Sequence, residues 1–211
     1  MDMSGMQKYM SKTLLAQFAK SARKTRATLG AEEPSTMSPS YGVSGNTLRA
    51  YRGWSVPPGK VYKEWAKKRT NTIIKAAPLD DIATESGFQG WHRGLCKSLN
   101  AKWRKDQGKN LSIAHCYKLV DLYIKWLSRY QIQGREFAFL LNKHASCALD
   151  SQTIYKINAC YGNCLPINKP RMGDIHNENT YRYCQDMIAA FCEAAGGTRL
   201  EFDYWAWKKG G

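Results

Sequence analysis

Apolar residues along this chain recur at helical spacing, and no stretch alternates as a strand would. Over residues 6 to 29, Met10, Leu14, Leu15, Phe18, Ala22 and Leu29 share a face, with Lys12, Lys20, Arg23, Lys24 and Arg26 interleaved. Steps of three and four mark one side of a helix, so a basic amphipathic helix is predicted there. Residues 30 to 45 are rich in Pro, Ser and Gly and predict an irregular linker. The first 45 residues are therefore expected to be an appendage to a helical domain spanning residues 46 to 211.

A second basic helix is predicted over residues 58 to 77, started by Pro57 and Pro58 and stopped by Pro78, with Val61, Trp65 and Ile73 or Ile74 inward. Two short helices are expected at 80 to 86 and 91 to 104, separated by Gly87 and Gly90. The second runs into a cationic turn, KWRKDQGK. Asn110 or Ser112 suits the cap of a long helix to about residue 130, followed by helical stretches at 133 to 143, 151 to 159 and 179 to 195. Gly196 and Gly197 end the last of these. With no internal repeat, the expected class is all-α.

Charge narrows the partner. Lys and Arg number 32 against 17 Asp and Glu, a formal charge of +15, which favours a polyanion through counterion release. Seven Trp, twelve Tyr and six Phe add rings able to stack on bases. No apolar run approaches the roughly 18 residues of a membrane span, and the first dozen residues lack the core of a secretion signal. A cytoplasmic protein without membrane attachment is expected. Seven cysteines, at positions 96, 116, 147, 160, 164, 184 and 192, include no CxxC pair, so reduced, buried thiols are expected rather than a disulfide framework. His144, Cys147, Cys160 and Cys164 do not have the spacing of a zinc or iron–sulfur site, and no metal or cofactor is expected. A nuclease would need clustered carboxylates and histidines that the chain lacks.

The predicted helix after Asn110 is apolar nearly all round, and it carries His115, Lys118 and Lys125 as polar exceptions at steps of three and seven residues. That spacing lines them along one stripe. A cation on an otherwise buried helix must meet solvent, a carboxylate or a groove.

The segment KLVDLYIKW, residues 118 to 126, followed by CALDSQTIYKI, residues 147 to 157, resembles the core of the archaeal 8-oxoguanine DNA glycosylases, a branch of the helix-hairpin-helix glycosylases. That family's pattern has a nucleophilic Lys, a second Lys seven residues on and an Asp 32 residues after the first. Lys118, Lys125 and Asp150 occupy those places. The family also has an Asp and a Trp four apart that contact the extruded base, and EFDYWAW supplies Asp203 and Trp207. Where the family places Pro-Val before the Asp, this chain has Cys147, Ala148 and Leu149, and no Leu-Pro-Gly-Val-Gly loop precedes Lys118.

The resemblance implies a two-lobed helical domain with a cleft between lobes, and excision of a damaged or modified base from double-stranded DNA. Either 8-oxoguanine or a hypermodified base of phage DNA, the latter in a defence role, fits this reading. It implies Lys118 as nucleophile and Asp150 as activator, with Asp203, Trp207, His115 and Lys125 about the base. An AP lyase step can follow the covalent intermediate. Lys102, Arg104, Lys105, Lys109, Trp91 and Arg93 are the expected DNA contacts, and a monomer is the expected form. The rival expectation is a non-enzymatic basic helical binder of DNA or RNA, in which Lys118 is a structural cation and Asp150 a helix cap.

Overall fold

A computed structural model describes residues 4–51, 53–163 and 169–207. Among the described residues the chain is helical and contains no strand, only an isolated parallel bridge between Glu32 and Tyr130. The α-helices are α1 (Lys12–Ala27), α2 (Gly45–Leu48), α3 (Pro58–Lys75), α4 (Leu79–Ile82), α5 (Glu85–Gln107), α6 (Ile113–Leu127), α7 (Glu136–His144), α8 (Ser151–Cys160), α9 (Glu178–Ala194) and α10 (Arg199–Ala206). The all-α class is thus what the structure shows. The chain divides into two compact units, one formed by residues up to Thr28 with those from Ser146 onward, the other by Leu29–Ala145.

The first unit packs α1 with α8, α9 and α10. Phe18 of α1 is fully buried and meets the rings of Phe191, Phe202 and Trp205 at 5.9, 5.9 and 5.5 Å between centroids. Here the expected appendage is corrected: the apolar stripe of α1 is the middle of a core completed by the far end of the chain. Arg26 reinforces the contact, donating from Nε to Glu201 at 2.8 Å and from NH2 to the Gly196 carbonyl at 2.9 Å. Gly197 is required by the same packing, because a Cβ there would lie 2.6 Å from the Phe18 ring. Tyr161 donates to the Met187 carbonyl at 2.6 Å, tying α8 to α9. The helix α10 was not predicted. Its cap is a reciprocal pair in which Thr198 Oγ1 accepts from the Glu201 N–H and Glu201 accepts from the Thr198 N–H.

The second unit is organised by α5 and α6. Contacts step in opposite directions along the two helices: Asn100 meets Leu111 and Cys116, Cys96 meets Cys116, and His92 meets Asp121. The pair is an antiparallel hairpin. Its turn begins at Gly108, which caps α5 with φ +73°, and ends at Ser112, whose side chain accepts from the His115 N–H to start α6. The two short helices expected between 80 and 104 are corrected to a short α4 and one long α5 running through Gly87, Gly90 and Gly94. Burial of Phe88, Leu95, Leu99 and Trp103 along one face of α5 outweighs the roughly 1 kcal/mol that each interior glycine costs. At Gly87 the lack of a side chain is needed, since a Cβ would collide with the Asp81 carbonyl oxygen of α4. In α3 it is Ile73 that is buried and Ile74 that is exposed, beside Val61 and Trp65 on the inward face. The segment expected as an irregular linker lies against this unit: Tyr62 donates to the Tyr41 carbonyl at 2.6 Å, and Tyr41 packs edge-on against Trp126.

Candidate functional site

Of the polar stripe on α6, Lys118 is only 8% exposed, while His115 and Lys125 are half-buried. A lysine amine in such a place is unusual, because burial of an ammonium costs several kcal/mol unless neighbours compensate. His115 is fixed on both ring nitrogens: Nδ1 lies 2.7 Å from Ser112 Oγ, and Nε2 lies 3.3 Å from the Ala50 carbonyl oxygen. A carbonyl only accepts, so Nε2 carries a hydrogen. Burial holds the His115 pKa below its usual value and the Lys118 charge pushes the same way, partly offset by the Ala50 hydrogen bond. The edge of Tyr51 closes over the imidazole, 4.8 Å between centroids.

One candidate on this hairpin, Asp121, escaped the sequence reading. Asp121, one turn beyond Lys118 and fully buried, accepts from His92 Nε2 at 2.8 Å. His92 in turn has Cys96 Sγ 3.8 Å from its Nδ1 and the ring of Tyr117 edge-on at 5.3 Å. The available signal was Asp121 itself, a carboxylate among apolar residues on the helix already singled out for its cations.

Asp150 lies in the other unit. It is buried and forms the N-cap of α8, with Oδ1 accepting from the backbone N–H groups of Gln152 and Thr153, each at 3.0 Å, and lying 3.2 Å from the Thr153 hydroxyl. Asp203 is brought into the same neighbourhood. Its Oδ2 accepts from the Ala148 N–H at 2.8 Å, and the Ala148 carbonyl accepts from the Thr153 hydroxyl at 3.0 Å. Gln185 locks the adjoining turn, accepting from the Cys147 N–H and donating to the Cys147 carbonyl. Thus Asp150 and Asp203 share one buried hydrogen-bonded corner, and Cys147–Ala148–Leu149 supplies its backbone.

Trp207 behaves differently from Asp203: it is the C-cap of α10 and 44% exposed, whereas Asp203 is completely buried. The buried ring of that segment is Trp205, with the Lys156 ammonium 4.0 Å from its centroid. A cavity of about 430 Å³ opens at the first turn of α8, with Ser151, Tyr155, Lys156 and Ala206 among its walls. Those walls include the residue after Asp150 and the residue before Trp207.

The expected DNA contacts fall into two groups. Arg104, Lys105 and Lys109 are exposed at the C-terminal end of α5 and its turn, and Arg93 is exposed farther back on α5. Cations suit that helix end, where the backbone dipole is negative. Lys102 is already held between Glu64 and Asp106, both at 2.7 Å, which raises its pKa above the usual lysine value. Trp91 is half-buried against Phe88 and Phe137.

The six described cysteines are buried and unbridged, and burial pushes Cys160 up to about 12 and Cys184 up to about 11, leaving them poor nucleophiles. Cys164 lies outside the described residues. Among the described residues no three His, Cys, Asp or Glu side chains gather as a metal site, and no helix is long and apolar enough to cross a membrane. Compared with family models, curated proteins and solved structures, the chain matches none.

Proposed function

We propose that this protein is a DNA N-glycosylase of helix-hairpin-helix type that excises a damaged or modified base with Lys118 as nucleophile and Asp150 as its activator. The observation that carries this reading is the burial of Lys118 within α6, on the α5–α6 hairpin of a chain with a formal charge of +15. An amine withdrawn from water and held on a rigid helix is suited to covalent chemistry. The spacing of Lys118, Lys125 and Asp150 adds to this.

In this reading an everted nucleotide meets the Lys118 amine, whose nitrogen lone pair the attack requires. The nitrogen bonds to the anomeric carbon as the glycosidic bond breaks, and the base leaves with the bonding pair and takes a proton. The family resemblance assigns Asp150 the role of accepting the proton lost from the amine and offsetting the positive charge that develops on the sugar. The sugar ring then opens to an imine, which water hydrolyses or which eliminates the 3′ phosphate as a lyase product. Arg104, Lys105, Lys109 and Arg93 supply phosphate contacts, whose loss reduces affinity and its salt dependence uniformly across sequences.

A chromatographic screen for released base tests the proposal, with duplexes containing 8-oxoguanine, other oxidised or alkylated bases and hypermodified cytosines of phage DNA. The expected result is release of at least one base by the wild-type chain and a loss on the order of a thousand-fold or more in Lys118→Gln. Unchanged release by that variant would refute the assignment of the nucleophile. DNA binding without release from any substrate would favour a non-enzymatic basic binder.

A further inference from the structure

The corner where α3 gives way to α4 and α5 forms an open cavity of about 600 Å³ within the second unit. Pro78 turns the chain out of α3, and the short α4 returns it to the start of α5. The cavity is therefore a consequence of the proline stop and the close crossing at Gly87. Its size is that of a small-molecule site. Its walls combine three chemistries: the half-buried ring of Trp91, the apolar side chains of Ile73 and Leu95, and the charged residues Arg69, Asp80 and Asp81. The Arg69 Nε is withdrawn from solvent and has no hydrogen-bond acceptor among the described residues, an arrangement that favours a ligand carrying acceptor atoms. A second depression, which includes Lys68 and Lys75, meets the first along Thr72 and Ala76.

We propose that this corner binds a guanine nucleotide, with the base against Trp91 and the phosphate toward Lys68 and Lys75. Guanine alone among the common bases offers two parallel donors, N1–H and the 2-amino group, that one carboxylate accepts together, and beside them two acceptors, O6 and N7, that fit a guanidinium. Adenine and cytosine each present a single amino group on that edge and leave one of these carboxylate or guanidinium bonds unmade. An aromatic wall adds stacking that any base satisfies, so the charged residues set the choice and the ring sets the affinity. Lys118 and Asp150 are not among the walls, so this site stands or falls independently of base excision. The same chemistry serves a free nucleotide or a guanine in a single-stranded segment of nucleic acid.

Isothermal titration of the full chain with GMP, AMP, CMP and inorganic phosphate, and with a short single-stranded oligonucleotide bearing one guanine, tests this. GMP or the guanine oligonucleotide is expected to bind about tenfold or more tightly than the adenine and cytosine counterparts, and phosphate alone not to saturate. Whichever of the two binds more tightly identifies the source. Arg69→Gln and the double variant Asp80→Asn, Asp81→Asn are each expected to weaken guanine binding about tenfold or more, while Lys68→Gln weakens GMP but leaves guanosine unchanged. Both aspartates are exposed, so the double variant retains the fold, checked by its thermal unfolding. Lys118→Gln is expected to bind guanine ligands as the wild type does. Equal affinity for all bases, loss of guanine binding in Lys118→Gln, or no binding of either guanine ligand would overturn the proposal.

Discussion

The two units treat their buried charges differently. Where α1 packs with α8, α9 and α10, the buried carboxylates of Asp150, Glu201 and Asp203 all accept backbone N–H groups, from Gln152 and Thr153, from Thr198, and from Ala148. They hold chain ends and turns in place. Within Leu29–Ala145 the buried carboxylate of Asp121 faces an imidazole instead, one helical turn from a buried lysine. Glu201 adds an ion pair to Arg26. The contrast is that the first unit's buried carboxylates anchor backbone, whereas Asp121 ties α6 to α5 through the His92 side chain.

Substitutions sharpen that contrast, beginning with the largest effect. Phe18→Ala removes the ring at the middle of the first core and is expected to cost about 3–5 kcal/mol in denaturant unfolding; a loss below about 1 kcal/mol would restore the picture of α1 as an appendage. Asp203→Ala leaves the buried Ala148 N–H without its acceptor and is expected to cost about 1–3 kcal/mol. Asp203→Asn, which keeps an acceptor, should recover part of it. For Asp121 and His92 the expected signature is coupling: the double variant Asp121→Asn, His92→Gln should cost measurably less than the sum of the single variants.

Smaller effects separate glycines that look alike in the sequence. Gly90→Ala meets open space and is expected to stabilise α5 by about 0.4–1 kcal/mol, whereas Gly87→Ala meets the Asp81 carbonyl oxygen and is expected to destabilise. The smallest effect concerns pH. Because His115 is held below its usual pKa, the unfolded chain takes up its proton first as pH falls, so this residue contributes stability above about pH 6.5 that is lost toward its lowered value. Midpoints measured between pH 7 and 5 should fall less steeply in His115→Gln than in the wild type.

Much of the helical layout was legible in the sequence because it depends on local signals. Ser112 and Pro58 start α6 and α3 where capping chemistry places them, and α8 and α9 lie within a residue or two of their predicted bounds. What was illegible depends on distant packing. The apolar stripe of α1 does not reveal that its partner is at the other end of the chain, and α10 is short enough that EFDYWAW reads as a functional pair rather than as a helix. The glycines of α5 punctuate the sequence, yet the helix continues because Phe88, Leu95, Leu99 and Trp103 share one buried face. At the candidate site, Asp150 caps α8, the role that the non-enzymatic reading gave it, and Lys118 is buried on α6. Asp121 was passed over because Leu119, Val120 and Leu122 around it read as plain core.

The most direct measurement is borohydride reduction of the chain during incubation with a duplex that it processes, followed by peptide mass mapping of any cross-link. Lys118 as nucleophile predicts a stable sugar adduct on the peptide containing that residue, absent from Lys118→Gln and formed more slowly by Asp150→Asn. An adduct on a different lysine, or base release with none trapped, would contradict it.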